Sequence, residues 1–186
     1  CSKPISILYP LVELTTALVT LLLYMNYWLN WELIATITLF YTLIVLSLID
    51  LKYKAVPDYL LIIAVILTII VGDLMNVLIF AGGFALLELV LTFYIQNIKA
   101  KITKNKDLET QSALGEGDIP IAGVIGGLLG LHLGISAIFL ATLLALLLSI
   151  YNLLSKKEIE TPFIPFLSLG LFITFITGFN IFSWLL

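Results

Sequence analysis

Apolar residues run through this chain in blocks of up to about 20, the length a helix needs to cross a bilayer core of about 30 Å. Short polar or glycine-bearing breaks separate the blocks. The pattern predicts seven helical spans, at 5–28, 31–49, 58–71, 75–95, 119–133, 135–154 and 162–186. Tyr9, Pro10 and Glu13 lie in the opening turns of the first span, which is therefore expected to begin as an interfacial helix before entering the membrane. The second closes at Asp50. The polar connection LKYKAVPD leads to the third, where Pro57 suits a first turn because its missing N–H has no intrahelical partner there. Gly72 and Asp73 mark the next turn. The polar segment 97–114 is expected to be a mobile cytosolic loop. Gly126, Gly130 and Gly134 recur at every fourth position after Ala122, a small-residue stripe that lets a neighbouring helix pack closely on the fifth span. Pro165 is expected to kink the first turn of the seventh. The expected fold is all-α: a polytopic transmembrane bundle of about seven spans, forming a single membrane-embedded domain over 1–186.

Composition removes other classes. A chain of 186 residues that is 61% hydrophobic and 11% charged is not an ordinary soluble protein. A net charge of −3 without a basic surface argues against a nucleic-acid partner, because binding phosphates takes clustered Lys or Arg. One cysteine rules out an intrachain disulfide. A single thiolate is also far from the roughly four ligands of structural zinc, so no metal site is expected. The nine basic residues, all lysines, report topology instead. With seven alternating spans they fall on one side, at Lys3 and in the connections after spans two, four and six, and lysine-rich loops are cytoplasmic. The expected location is the cytoplasmic (inner) membrane, among its lipids. The amino terminus, Asp50 and Asp118 would then be cytoplasmic and Leu186 outside.

The chemistry centres on ALGEGDIPIAGVIGGLLG, where Asp118 sits at the mouth of an apolar helix. A carboxylate at such a boundary is expensive and marks a functional site by default. Gly115 and Gly117 beside it allow unusual backbone conformations and the close approach of a peptide. Asp50 closes the second span and Asp118 opens the fifth, so the topology puts both near one membrane plane. Two carboxylates brought together share a proton near neutrality, which supplies one general base and one general acid. Such a pair activates water and polarises a carbonyl with no metal and no cofactor. Glu88, deep in the fourth span, would line a polar cavity near the pair, bond a hydroxyl, or be a protonated structural residue. The alternative from another class is a small transporter with Asp50, Glu88 and Asp118 as proton or ion sites. No internal repeat supports it, and both aspartates lie at one edge rather than at the midplane.

Four segments carry a resemblance. SLIDLKYKAVPDYL resembles the first catalytic-aspartate segment of bacterial type IV prepilin peptidases, and GEGDIPIAGVIGGLLG resembles their GxGD segment. CSKPISILYPLVEL is similar to a third through Ile5-Ser6, Tyr9-Pro10 and Val12-Glu13, and ETPFIPFLSLG to the start of the family's last span. The resemblance implies a membrane aspartic endopeptidase that removes short basic leaders from type IV pilin-like precursor proteins. Asp50 and Asp118 would be catalytic, and Gly115, Glu116, Gly117, Asp58 and Glu13 would bind substrate or shape the site. Cys1 matches the last of the family's four cysteines, and the other three are not in this sequence. Amino-methylation of the mature pilin, which many members perform with S-adenosylmethionine, is therefore not expected of it. Pro120 also departs, standing where many members carry a lysine. Presenilin-like proteases share GxGD, but there a tyrosine usually precedes the first aspartate, whereas Ile49 does so here, and YPLVE and VPDYL are left unexplained.

Overall fold

The computed structural model describes residues 7–26, 30–103, 112–155 and 161–184, and these form helices and turns without a strand. In chain order they are α1 (Leu8–Asn26), α2 (Trp31–Tyr53), α3 (Asp58–Val71), α4 (Leu74–Phe93), a π-helical continuation (Tyr94–Lys99) leading into α5 (Ala100–Thr103), α6 (Asp118–Leu154), α7 (Ile164–Thr177) and a 3-10 turn (Ile181–Trp184). Four stretches, Leu8–Met25, Trp31–Tyr53, Leu74–Ile102 and Asp118–Leu154, are long and apolar enough to cross a membrane, while α3 and α7 are apolar but shorter. Outward-facing Leu86, Leu89 and Leu146 are more than half exposed, as side chains meant for lipid are and those of a water-soluble surface rarely are in number.

Polar residues set the ends of these helices. Asn30 accepts the Leu33 N–H at 2.8 Å and starts α2. Asp73 accepts from the N–H groups of Met75 and Asn76 and starts α4. The turn expected at Gly72-Asp73 is present, and a close approach explains its glycine. The Asp73 N–H donates to the Gly127 carbonyl at 3.0 Å, and a Cβ on Gly72 would lie 2.3 Å from that oxygen.

Four expectations change. The turn between the fifth and sixth predicted spans lies at Gly130 rather than after Leu133, inside the residues assigned to α6. Gly130 has φ 71° and ψ −172°, a region essentially closed to L side chains. Residues eight apart in a straight helix stand about 12 Å from each other. Here the Phe80 ring lies against the Cβ positions of both Gly126 and Gly134, so the chain folds back at Gly130 into two arms. The expected glycine stripe is thus a pair of facing contacts around one ring, with the third glycine as the hinge. The supposed loop 97–114 is helical through Thr103, because the helix of α4 continues through the π segment into α5, and 104–111 lie outside the described residues. Asp50 does not end α2, which runs one turn further to Tyr53. Pro165 sits in the first turn of α7, where proline needs no kink.

The core lies between α2, α3, α6 and α7, with Leu39, Leu43, Leu46, Ile121, Ile125, Leu167 and Leu171 fully enclosed. Phe40 meets Phe172 and Phe175 edge to face, both at 5.4 Å between ring centres, and joins α2 to α7. Lipid tails are as apolar as leucine, so helices in a bilayer associate through close van der Waals fit. Glycines provide it here. The first arm of α6 lies on α4 through Gly123 and Gly127 against Val77 and Gly126 against Phe80, and the second lies on α7 where Gly170 meets Ala137 and Ala141.

Candidate active site

Asp50 and Asp118 are both buried, on different helices, and line one cavity of about 530 Å³ at an end of the bundle. The Asp50 carboxylate acts electrostatically on Asp118, and each of the two has one carboxylate oxygen held by a backbone amide. Asp50 Oδ2 accepts the Ile164 N–H at 3.2 Å. Ile164 is the first residue of α7, so its amide is one of those a helix start leaves without an internal partner, and Asp50 caps α7 from another helix. Asp118 Oδ2 accepts the Gly115 N–H at 3.1 Å, while the Asp118 N–H donates to the Gly115 carbonyl at 3.0 Å. This reciprocal pair closes the GEGD turn.

The glycines have distinct reasons to be there. A Cβ on Gly115 would lie 3.3 Å from Asp118 Oδ2, crowding the carboxylate. A Cβ on Gly117 would lie 2.6 Å from Val56 and 3.0 Å from Ile164, forcing the start of α6 away from the segment after α2 and from α7. Gly117 therefore sets how closely the start of α6 packs on these two segments. Lys54, which follows α2 and lines the cavity, is the described non-glycine residue with positive φ, at 51°, and its N–H bonds the Asp50 carbonyl at 2.9 Å.

Of the residues expected at the site, Asp50, Asp58, Gly115, Glu116, Gly117 and Asp118 line the cavity together. Asp58 and Glu116 are exposed at its mouth. Glu13 is exposed on α1 and is not among the cavity residues. Glu88 is not among the cavity residues. The antiparallel register that sets Val77 against Gly127 and Ala81 against Gly123, extended, brings residues 88–92 level with 112–116. One turn past Glu88, Thr92 Oγ1 accepts the Ala113 N–H at 3.1 Å and ties the segment entering GEGD to α4, and Glu88 itself interacts electrostatically with Asp118.

The cavity also holds residues for which sequence reasoning had no role. Thr161, Pro162, Phe163 and Ile164 form its wall at the start of α7. ETPFIPFLSLG pointed to that helix start, but Ile164 works through its backbone, which no side-chain pattern reports. Among the described residues no group of three or more His, Cys, Asp or Glu is placed to hold a metal ion. Two carboxylates facing one cavity, each pinned by one oxygen, can between them deprotonate a water and donate a hydrogen bond to a carbonyl.

Comparison with known proteins finds relatives over nearly the whole chain. The chain is 28% identical over its whole length to a prepilin leader peptidase/N-methyltransferase of Aeromonas hydrophila, covering 64% of that protein. Proteins of the same name from Xanthomonas campestris and Legionella pneumophila are also 28% identical, over 95% and 99% of this chain and 61% and 64% of their own lengths. This chain thus spans a little under two thirds of the curated relatives it matches. No solved structure matches it significantly. The family model for type IV leader peptidases matches residues 37–150, which include both cavity aspartates and the GEGD turn, so this chain belongs to the type IV leader peptidase family.

Proposed function

We propose that this chain is a membrane aspartic endopeptidase that cleaves short leader peptides from type IV pilin-like precursors, with Asp50 and Asp118 as its dyad. The observation that carries the reading is the meeting of these two carboxylates in one cavity, each with one oxygen fixed by a backbone amide. Fixing one oxygen of each orients the other toward the cavity and limits reorganisation during reaction. In the ionised member, an oxygen takes a proton from water as the water oxygen bonds to the scissile carbonyl carbon. In the protonated member, the carboxyl proton passes to the carbonyl oxygen, giving a neutral gem-diol. Collapse of the diol returns one hydroxyl proton to the carboxylate now ionised and breaks the C–N bond, and the leaving nitrogen takes the proton of the other carboxyl.

The topology proposed for this chemistry has seven spans: α1 to α4, the two arms of α6, and α7. The lysine pattern then puts the amino terminus, Asp50, Asp118 and the cavity on the cytoplasmic side of the inner membrane. A precursor whose apolar helix lies in the same bilayer presents its polar leader at the depth of the cavity, and this shared depth turns a search in solution into a local one. Asp58 and Glu116 at the mouth would face the leader. The test is incubation of purified protein with a pilin-like precursor in liposomes. Leader removal that Asp50→Asn and Asp118→Asn each abolish is the expected result, and cleavage that survives either change contradicts the assignment.

A further inference from the structure

Beside the cavity of the two aspartates lies a second recess, a groove of about 300 Å³ between α1, α2 and α7. It begins where the cavity ends. On α2 Asp50 lines the cavity and Leu48 the groove, and on α7 Ile164 lines the cavity and Pro165 the groove. From Leu48 to Phe40 the groove follows α2 for roughly two turns, about 12 Å. Leu43 and Phe40 form its buried floor, while Leu14 on α1 and Leu169 on α7 stand at its rim, 70% and 46% exposed, so it opens to the surroundings. Its lining carries no charge. The hydroxyls within it bond inside the protein, Ser47 to Ser168 at 3.2 Å and Thr15 to the Val12 carbonyl at 2.9 Å, which leaves the walls suited to an apolar occupant.

The groove exists because α1 leaves the bundle gradually. Along its inward face Leu23 is enclosed, Val19 is buried, Val12 is half-buried and Leu8 is exposed. A hydrogen bond between Thr20 Oγ1 and Tyr41 Oη at 2.6 Å holds the second half of α1 to α2, and the antiparallel register it sets brings Leu11 level with Asp50. Helix α1 thus stands off at the level of the dyad.

We propose that this groove docks the apolar helix of the precursor, taking side chains from the turns just beyond the scissile bond while the leader lies at the cavity mouth. This rests on the peptidase reading above. Continuity favours the occupant: a chain cut between Asp50 and Asp118 has its apolar helix in the same bilayer, and the recess adjoins the cavity on both α2 and α7. A helix lying in a groove is read through side chains at i, i+3, i+4 and i+7, and roughly two turns of groove match that span. Helices in lipid associate through close fit rather than through apolar character alone, so a fixed recess favours a helix with matching side chains over fluid acyl chains.

Cross-linking identifies the occupant directly. The full chain carrying Asp118→Asn, to hold the precursor uncut, receives a photoreactive phenylalanine analogue at Leu14 or Leu169 on the groove rim, or at Leu86 or Leu146 on outward surfaces elsewhere. In liposomes with a pilin-like precursor, the rim positions are expected to give adducts to the precursor's apolar helix and the other two to give adducts to lipid. Rim adducts to lipid alone, or to a second copy of the chain, overturn the proposal. Equal precursor adducts from all four positions do so as well. In the cleaving enzyme, Thr15→Phe fills the groove from α1 without entering the cavity, and it is expected to raise KM about fivefold or more with kcat within about twofold of wild type. Leu21→Phe, on an exposed face of α1 outside the groove, should change neither. A Thr15→Phe enzyme with wild-type KM, or one that loses kcat instead, contradicts the docking. A wild-type chain that cleaves no precursor counts against the peptidase reading itself, and the adducts, which need no cleavage, still report what fills the groove.

Discussion

Asp50 caps α7, and in the proposed dyad it has a second job that can be taken apart from the first. As a cap it needs only an oxygen to accept the Ile164 N–H, which an asparagine also has; as a member of the dyad it needs to carry and release a proton. Asp50→Asn should therefore be inactive yet as stable as wild type. Asp50→Ala should be inactive and less stable by about 1–2 kcal/mol, the usual cost of losing a cap. Thermal unfolding in detergent checks this, and equal stabilities for the two variants would show that the capping bond contributes nothing. Thr92 is the counterpart on the other side of the site. Thr92→Val removes the acceptor for the Ala113 N–H, and the loosened turn should lower kcat/KM by roughly threefold to tenfold. Thr92→Ser should restore it. Asp50 and Asp118 were legible in the sequence because a carboxylate in an apolar setting stands out on composition alone. Thr92 was not: a threonine in or beside a membrane helix usually bonds its own backbone, as Thr36, Thr38 and Thr42 do here, and only the fold tells the exception apart.

Among the elements, α6 departs most from a simple reading of its sequence. It carries glycines at 123, 126, 127, 130 and 134, and the sequence reading ended one span at Leu133 and began the next at Ile135. The choice falls on Gly130 because Gly126 and Gly127 are consumed by packing on α4 and Gly134 by the far side of Phe80. A Cβ on Gly130 would meet nothing within 4 Å, so Gly130→Ala tests backbone conformation without a clash. It should destabilise the protein by about 1–3 kcal/mol, the cost of holding an L residue in a sparsely populated region, as read by denaturant or thermal unfolding in detergent. A loss below about 0.5 kcal/mol, the scale of an ordinary surface substitution, would mean that the chain does not fold back there. The turn at Gly72-Asp73 was legible because glycine followed by aspartate ends one helix and caps the next. The helical run past Asn97 was hidden by its lysines, which mark a polar surface whether the backbone is coiled or helical.

For the molecule as a whole, the all-helical architecture and the lipid-facing surface follow from apolar block length, which is why they were visible before any contact was known. The meeting of the two aspartates was visible only through topology: an even number of crossings between the end of α2 and the start of α6 returns the chain to one side. Helices α3 and α4 provide these two crossings in the proposed arrangement. Cysteine substitutions at Lys52 and Lys99 should then be shielded from a membrane-impermeant thiol reagent in intact cells, and one at Asp73 should be labelled. Labelling on the same side for all three would break the topology. What the sequence left open was depth and contact, since neither the capping of α7 by Asp50 nor the α4 tether on the segment entering GEGD involves residues with a distinctive pattern. The central claim, that Asp50 and Asp118 form one catalytic pair, is tested most directly by single-turnover cleavage of a pilin-like precursor in liposomes by wild type, Asp50→Asn, Asp118→Asn and the double variant. The prediction is that each single change lowers the rate by at least about 10³-fold and the double change lowers it little further, because residues that act as a unit are grossly non-additive. Either single variant retaining more than about a tenth of the wild-type rate, a cost below about 1.4 kcal/mol, would contradict it.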